Sequence, residues 1–252
     1  MDNRQRPGYE YRYRFCMDDD KMITDEIISR YRTILSGGVN VYLFEIRTNF
    51  ILKRTIVDDD DDEDEIVLCS ESFDAYSEEC ECEDEWYLEQ QTSYRLKEYW
   101  MPEDEIDKLV HEAFNFAKHH KSITSTVIPF IVDVDVCTVQ QDGEELEAAM
   151  DRAIRAENLV PLYLWHHIKV EDDVDKLEDI LDFLQFNLPR MRVEDVDQGL
   201  GLMETCPVCL HDPTVGAQIS LLPQCSHVFH THCIVKWLLK NNSCPLCRQR
   251  VG

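Results

Sequence analysis

Residues 204–248 run ETCPVCLHDPTVGAQISLLPQCSHVFHTHCIVKWLLKNNSCPLCR. Eight candidate metal ligands punctuate the stretch as Cys206-x2-Cys209-x15-Cys225-x1-His227-x2-His230-x2-Cys233-x10-Cys244-x2-Cys247. Thiolate and neutral imidazole are the donors zinc prefers, and four of them close a tetrahedral structural site, so eight imply two ions. Two residues between cysteines make a tight knuckle that lets both sulfurs reach one ion at about 2.3 Å. A segment this small cannot bury enough apolar surface to fold alone, so metal binding is expected to supply its folding free energy. His232 neighbours Cys233 but has the wrong spacing for a knuckle, which leaves His230 as the expected ligand. His211 reads as an exposed loop residue.

The ligand order Cys, Cys, Cys, His, His, Cys, Cys, Cys resembles the RING-H2 finger family. The likeness extends to Leu222-Pro223, to Cys225-Ser-His227-Val-Phe229-His230, to Cys233-Ile234 with Trp237-Leu238, and to Ser243-Cys-Pro-Leu-Cys-Arg248. It implies a cross-brace that pairs Cys206, Cys209, His230 and Cys233 on one zinc, and Cys225, His227, Cys244 and Cys247 on the other; spacing alone does not prove that interleaving. It also implies a RING-type ubiquitin ligase activity, which holds no covalent intermediate but orients a ubiquitin-charged conjugating enzyme. The family's apolar groove for that enzyme maps onto Val208, Trp237 and Pro245, with Leu222 and Pro223 nearby. Arg248, directly after the last ligand, falls where many active members place a cation that bridges ubiquitin and conjugating enzyme, a task suited to a planar guanidinium. The alternative is a zinc-dependent interaction scaffold or a RING heterodimer partner without activity of its own.

The net charge is −26. From residue 204 onward Glu204 and Asp212 face Lys236, Lys240, Arg248 and Arg250, a net of +2, so the first 203 residues carry −28. A surface that negative repels phosphate backbones, and no nucleic-acid partner is expected. Met1–Glu10 is polar, and no stretch approaches the ~20 apolar residues of a spanning helix. The expected location is therefore cytoplasmic or nuclear, without a membrane, as in the soluble plant-type members of the family. In such a reducing compartment the 11 cysteines point to metal and not to disulfides.

With apolar residues at 44%, the rest of the chain can bury a core. An α+β region is expected over residues 1–195, followed by the zinc domain over 196–252. Tyr9–Phe15 alternates aromatic and charged residues, Val39–Ile46 is a second strand candidate, and Thr126–Val136 is the strongest, with Pro129 arguing for an edge or bulge. Helices are expected at 25–35, at 102–120 through Ile106, Leu109, Val110, Ala113, Phe114 and Ala117, after an Asp142/Glu145 capping box, and through Val174, Leu177, Ile180, Leu181 and Leu184. Gly199-Leu-Gly201 reads as a hinge. Eight consecutive acids at 58–65 open an acidic loop extending to about residue 89, solvated and without the spaced ligands of a calcium loop.

Cys80-x-Cys82, with Cys69, lacks ligands for a third metal site. Cys16 and Cys137 read as small core residues. His119-His120 suits a helix C-terminus, and His166-His167 reads as structural. The role expected of residues 1–195 is binding an unknown protein substrate or partner.

Overall fold

The computed structural model describes residues 8–17, 27–29, 41–54, 65–78, 85–120, 127–164, 180–181, 183–194 and 201–251. The chain divides into two compact units, Met1–Ala149 and Met150–Gly252.

The first unit is a four-stranded sheet with helices. Its strands are β1 (Tyr9–Met17), β2 (Val41–Lys53), β3 (Glu65–Glu78) and β4 (Val127–Val139), in the order β1-β4-β2-β3. Between β3 and β4 in sequence lie α1 (Glu85–Glu98) and α2 (Glu103–His119). β4 runs antiparallel to β1 and parallel to β2, and β2 runs antiparallel to β3 with a bulge between Phe50 and Ile51. The β1 alternation puts aromatics on the side of the sheet that meets the helices, where Phe15 packs on Phe116 and Tyr11 donates to the Tyr99 carbonyl. All six expected apolar positions of α2 are buried. His119 and His120 face the Asn115 and Phe116 carbonyls, at 2.6 and 2.8 Å, where the free carbonyls of a helix C-terminus lie.

Pro129 lies in an interior strand, yet its place obeys the same rule that predicts an edge. Pairing with β1 ends at Phe130, so on that side the missing N–H of Pro129 is not asked for; on the other side Pro129 aligns with Leu43 of β2.

Several expectations need correction. The part of the acidic stretch at 65–78 is strand β3 and the part from Glu85 belongs to α1. Acidity hid the period-2 pattern, because the acids mostly alternate with residues such as Phe73, Ala75 and Ser77 that are buried. Glu71 is the acid on the inner side. Arg95 of α1 binds it through two nitrogens, and the Tyr99 hydroxyl donates to it at 2.6 Å while accepting from Thr48 at 3.2 Å. Burial holds the Tyr99 phenol well above its ordinary pKa, so it stays a donor. Cys16 is exposed, since it points to the opposite side of β1 from the aromatics, whereas Cys137 is buried and its thiol is pushed up to about 11 by burial. The turn before α3 (Leu146–Asp151) is closed by Glu144, whose carboxylate accepts from the Gln141 N–H at 2.8 Å, one residue before the expected box. The acidic run 58–64, the Cys80–Cys82 pair, His166-His167 and residues 199–200 of the hinge lie outside the described residues, as does most of the 25–35 helix and the Val174–Leu177 part of the other.

The second unit shows why a boundary near residue 195 does not describe the packing. Val160, Leu164, Ile180, Leu184, Leu188 and Val193 share one buried cluster with Cys206, Phe229, Ile234 and Leu238. A zinc module of about 45 residues exposes more apolar surface than it can cover alone. Here the preceding segment covers it. Strand β5 (Arg190–Arg192) pairs with β6 (Gln218–Leu221), which pairs with β7 (Val228–His230), and α4 (Thr231–Leu238) follows directly.

Candidate metal centre

The eight ligand candidates gather into two groups. Cys206, Cys209, His230 and Cys233 form one, and Cys225, His227, Cys244 and Cys247 the other, with the donor atoms of each group within 4.8 Å of one another. The interleaving is the one the family resemblance implies. His230 offers Nδ1 at 3.3 Å from Cys209 Sγ, and His227 offers Nδ1 at 3.5 Å from Cys244 Sγ. Bonds of about 2.0–2.3 Å to a tetrahedral ion place neighbouring donors roughly 3.5 Å apart, so these separations fit zinc. Three soft sulfurs and one imidazole in each group make zinc the matching ion.

Three repeated turns build the site. Cys206 N–H donates to the His211 carbonyl and Leu210 N–H to Cys206 O; Cys244 N–H donates to Gln249 O and Arg248 N–H to Cys244 O. Leu222 N–H donates to His227 O and Ser226 N–H to Leu222 O, the same pattern a third time. In each turn the fifth residue is left-handed: Leu210 at φ 63°, Ser226 at 58° and Arg248 at 61°. Glycine is absent from all three, so each turn holds a conformation that costs a side-chain-bearing residue about 1 kcal/mol or more. The turn aims backbone N–H groups at sulfur. The Cys206 thiol is lowered, first by its hydrogen bond with Cys233, whose own thiol the same contact raises, and also by the His230 side chain and the Cys209 and His230 amides. A thiolate is the form that binds metal.

α4 carries the rest. Cys233 sits in its first turn, and its inner side buries Ile234, Val235 and Leu238. His232 belongs to neither foursome; its ring stacks on His230 at 5.5 Å and 9°, and burial pushes its pKa down to about 4. His211 is exposed. Trp237 is half-buried, and its indole N–H donates to the Ser243 carbonyl at 2.8 Å, which fixes the ring against the second ligand loop.

Among the groove candidates, Val208 and Pro223 are exposed and Pro245 is half-buried. Leu222 is different. It is fully buried in the core cluster because its backbone closes one of the three turns, so it supports the groove from within and offers it no surface. Sequence reasoning missed Leu210, Leu221 and Leu246, whose exposures are 75%, 40% and 52%. The available signal was a large apolar residue in or beside a tight turn, where the chain has no interior to receive it. Arg248 is exposed.

Comparison with known proteins finds relatives of the zinc segment. Residues 204–248 match the Ring finger domain family. The E3 ubiquitin-protein ligase RNF126-B of Xenopus laevis is 44% identical over 65 residues, 26% of this chain and 20% of that protein. The RING-H2 finger protein ATL48 of Arabidopsis thaliana is 54% identical over 47 residues, 19% of this chain and 14% of that protein. The crystal structure of the RING-H2 domain of Arabidopsis RMR1 shares 38% identity, covering 25% of this chain and 84% of that one, with a TM-score of 0.23. The match thus spans about a fifth of the length of several curated relatives. Two Cys3His groups, three repeated turns and this match together identify residues 204–248 as a RING-H2 finger with the ligands for two zinc ions.

Proposed function

We propose that the protein is a RING-type E3 ubiquitin ligase that docks a ubiquitin-charged conjugating enzyme on its RING-H2 finger. In the transfer, the ε-amine of a substrate lysine attacks the thioester carbonyl and the conjugating enzyme's cysteine thiol leaves. The RING contributes no nucleophile; it holds the thioester and the amine in reach, which lowers the entropic part of the barrier. The observation that carries the reading is apolar surface on the zinc loops. Val208 and Leu246 stand exposed beside ligands, and Trp237 is half-buried with its indole N–H engaged. Exposed apolar and indole groups of this kind are typical interface anchors. Arg248 is assigned the bridging of ubiquitin and conjugating enzyme, supported by its exposure at the end of the last turn. The N-terminal α+β part is assigned the binding of a protein substrate, in the cytoplasm or nucleus, where thiols stay reduced.

Autoubiquitination of the full chain with activating enzyme, a panel of conjugating enzymes, ubiquitin and ATP tests the reading. The wild type is expected to form conjugates with at least one conjugating enzyme, and Trp237→Ala and Cys225→Ser to form none. Conjugates undiminished in Trp237→Ala, or none with any conjugating enzyme, would sink it.

A further inference from the structure

Within the second unit, one open cleft runs along the outside of the first zinc group. One wall is RING, with Val208 and Trp237. The other is residues 150–159, which lie outside the 204–248 family match. This outer wall is held in place. Ala153, Ile154 and Leu159 are buried, and Val160 belongs to the core cluster of the RING. Lys236 of α4 donates from Nζ to the Glu157 carbonyl at 2.9 Å, across 79 residues of sequence. Arg155 braces the segment from inside by donating to Met150 O at 3.3 Å. The wall does not roof the groove, since Val208 remains 37% exposed.

The charge of the cleft is opposite to that of the chain. Five basic side chains line it, Arg152, Arg155 and Lys240 among them, against three acidic ones. The chain as a whole carries −26. A locally basic cleft in an acidic protein attracts a partner surface bearing carboxylates, and low-dielectric walls strengthen that attraction.

We infer that residues 150–159 form a second wall of the conjugating-enzyme docking site, gripping an enzyme whose surface carries carboxylates beside its apolar contact. The inference rests on the ligase reading and extends it. The RING groove supplies apolar contact common to many conjugating enzymes, and the basic lining of the cleft, with Arg152 and Arg155 on the outer wall facing Arg192, Lys236 and Lys240, selects among them. The occupant follows from continuity: Val208 and Trp237, the residues of the proposed docking groove, line this same cleft.

The test uses the full chain with zinc bound and the conjugating enzyme most active in the autoubiquitination panel. Its affinity is measured by titration calorimetry for the wild type, Arg152→Glu, Lys240→Glu and Trp237→Ala, with melting temperature and zinc content followed in parallel. Arg152→Glu is expected to weaken binding about tenfold with zinc content unchanged, the effect of about 1.4 kcal/mol. Wild-type affinity is expected to fall as salt rises, and more steeply than that of Arg152→Glu. Hydrogen exchange on the wild type gives a readout free of folding defects: the amides of 150–159 should slow on adding the conjugating enzyme, together with those near Val208. Protection confined to the RING, or unchanged or tighter binding in Arg152→Glu, overturns the second wall while leaving the ligase reading intact. No binding by the wild type, or full binding by Trp237→Ala, overturns both.

Discussion

Leu210, Ser226 and Arg248 show how one backbone requirement recurs at three places. Each follows or closes a ligand turn, each is left-handed, and each lets its amide reach back four residues. A β-branched side chain tolerates that conformation worst. Leu210→Val is therefore expected to destabilise the zinc domain by about 1–2 kcal/mol, and Leu210→Gly to leave it within ~0.5 kcal/mol, because relief of strain offsets glycine's greater unfolded freedom. Melting of the zinc-loaded chain measures both. Arg248 separates backbone role from side-chain role. Its amide closes the last turn whatever the side chain, so Arg248→Ala should keep zinc and conjugating-enzyme affinity but slow discharge of a preformed ubiquitin thioester. Single-turnover discharge at the wild-type rate would falsify the bridging assignment. That Arg248 follows the last cysteine was legible in the sequence; that it sits at φ 61° was not, because arginine carries no signal for left-handed backbone.

At the scale of elements, strands β1, β2 and β4 and helix α2 were legible, whereas β3 with α1 and the short strands β5, β6 and β7 were not. α2 separates its apolar and polar faces cleanly, and a sequence pattern with that period has one stable solution. α1 mixes them: among its buried residues are Thr92, Arg95 and Glu98. What stabilises α1 is a partner on another element. Arg95 is 1% exposed and survives burial because Glu71 of β3 neutralises it. Removing one partner of such a pair leaves a bare buried charge at a cost of ~3–5 kcal/mol. Glu71→Leu is expected to lose about that much in urea unfolding of the full chain, and the double variant Glu71→Leu/Arg95→Met to recover most of it. Additive losses in the double variant would show that the pair is not coupled. The outer side of the same sheet behaves differently. Arg12 pairs there with Glu65 at 2.9 Å and Asp135 at 3.4 Å, in partial exposure, where ion pairs contribute ~0–1 kcal/mol. The Arg12 bond holds the Glu65 carboxyl below its ordinary value of 4.5. That contribution is present above pH 4.5 and fades as pH falls through the lowered value, too small to govern acid stability.

The two units of the whole molecule depend on different interactions. The first buries strand and helix side chains such as Phe44, Phe50, Phe114 and Phe130 around a four-stranded sheet. The second closes its core on cysteines that need metal to be satisfied. Each structural zinc supplies on the order of 10 kcal/mol of folding free energy, so strong chelation should unfold Met150–Gly252. Hydrogen exchange after chelation is expected to lose protection across residues 201–251 and across Val160, Leu184 and Val193, while β2 and β4 stay protected. Protection of the 201–251 amides after zinc removal would contradict the reading. The loss at Val160 and Val193 is the diagnostic part, since it follows only if the segment before residue 204 shares the zinc-dependent core. Ligand identity, ligand count and the helical and strand periods of the strongest elements were determined locally, because donor chemistry and side-chain period are properties of neighbours in the chain. Three things were decided only by tertiary structure: the burial of Glu71 by Arg95, the burial of Leu222 beneath the groove, and the packing of Val160, Leu164, Ile180, Leu184, Leu188 and Val193 onto the RING. Each depends on what a distant residue covers, and burial by a distant residue leaves no mark on the local pattern.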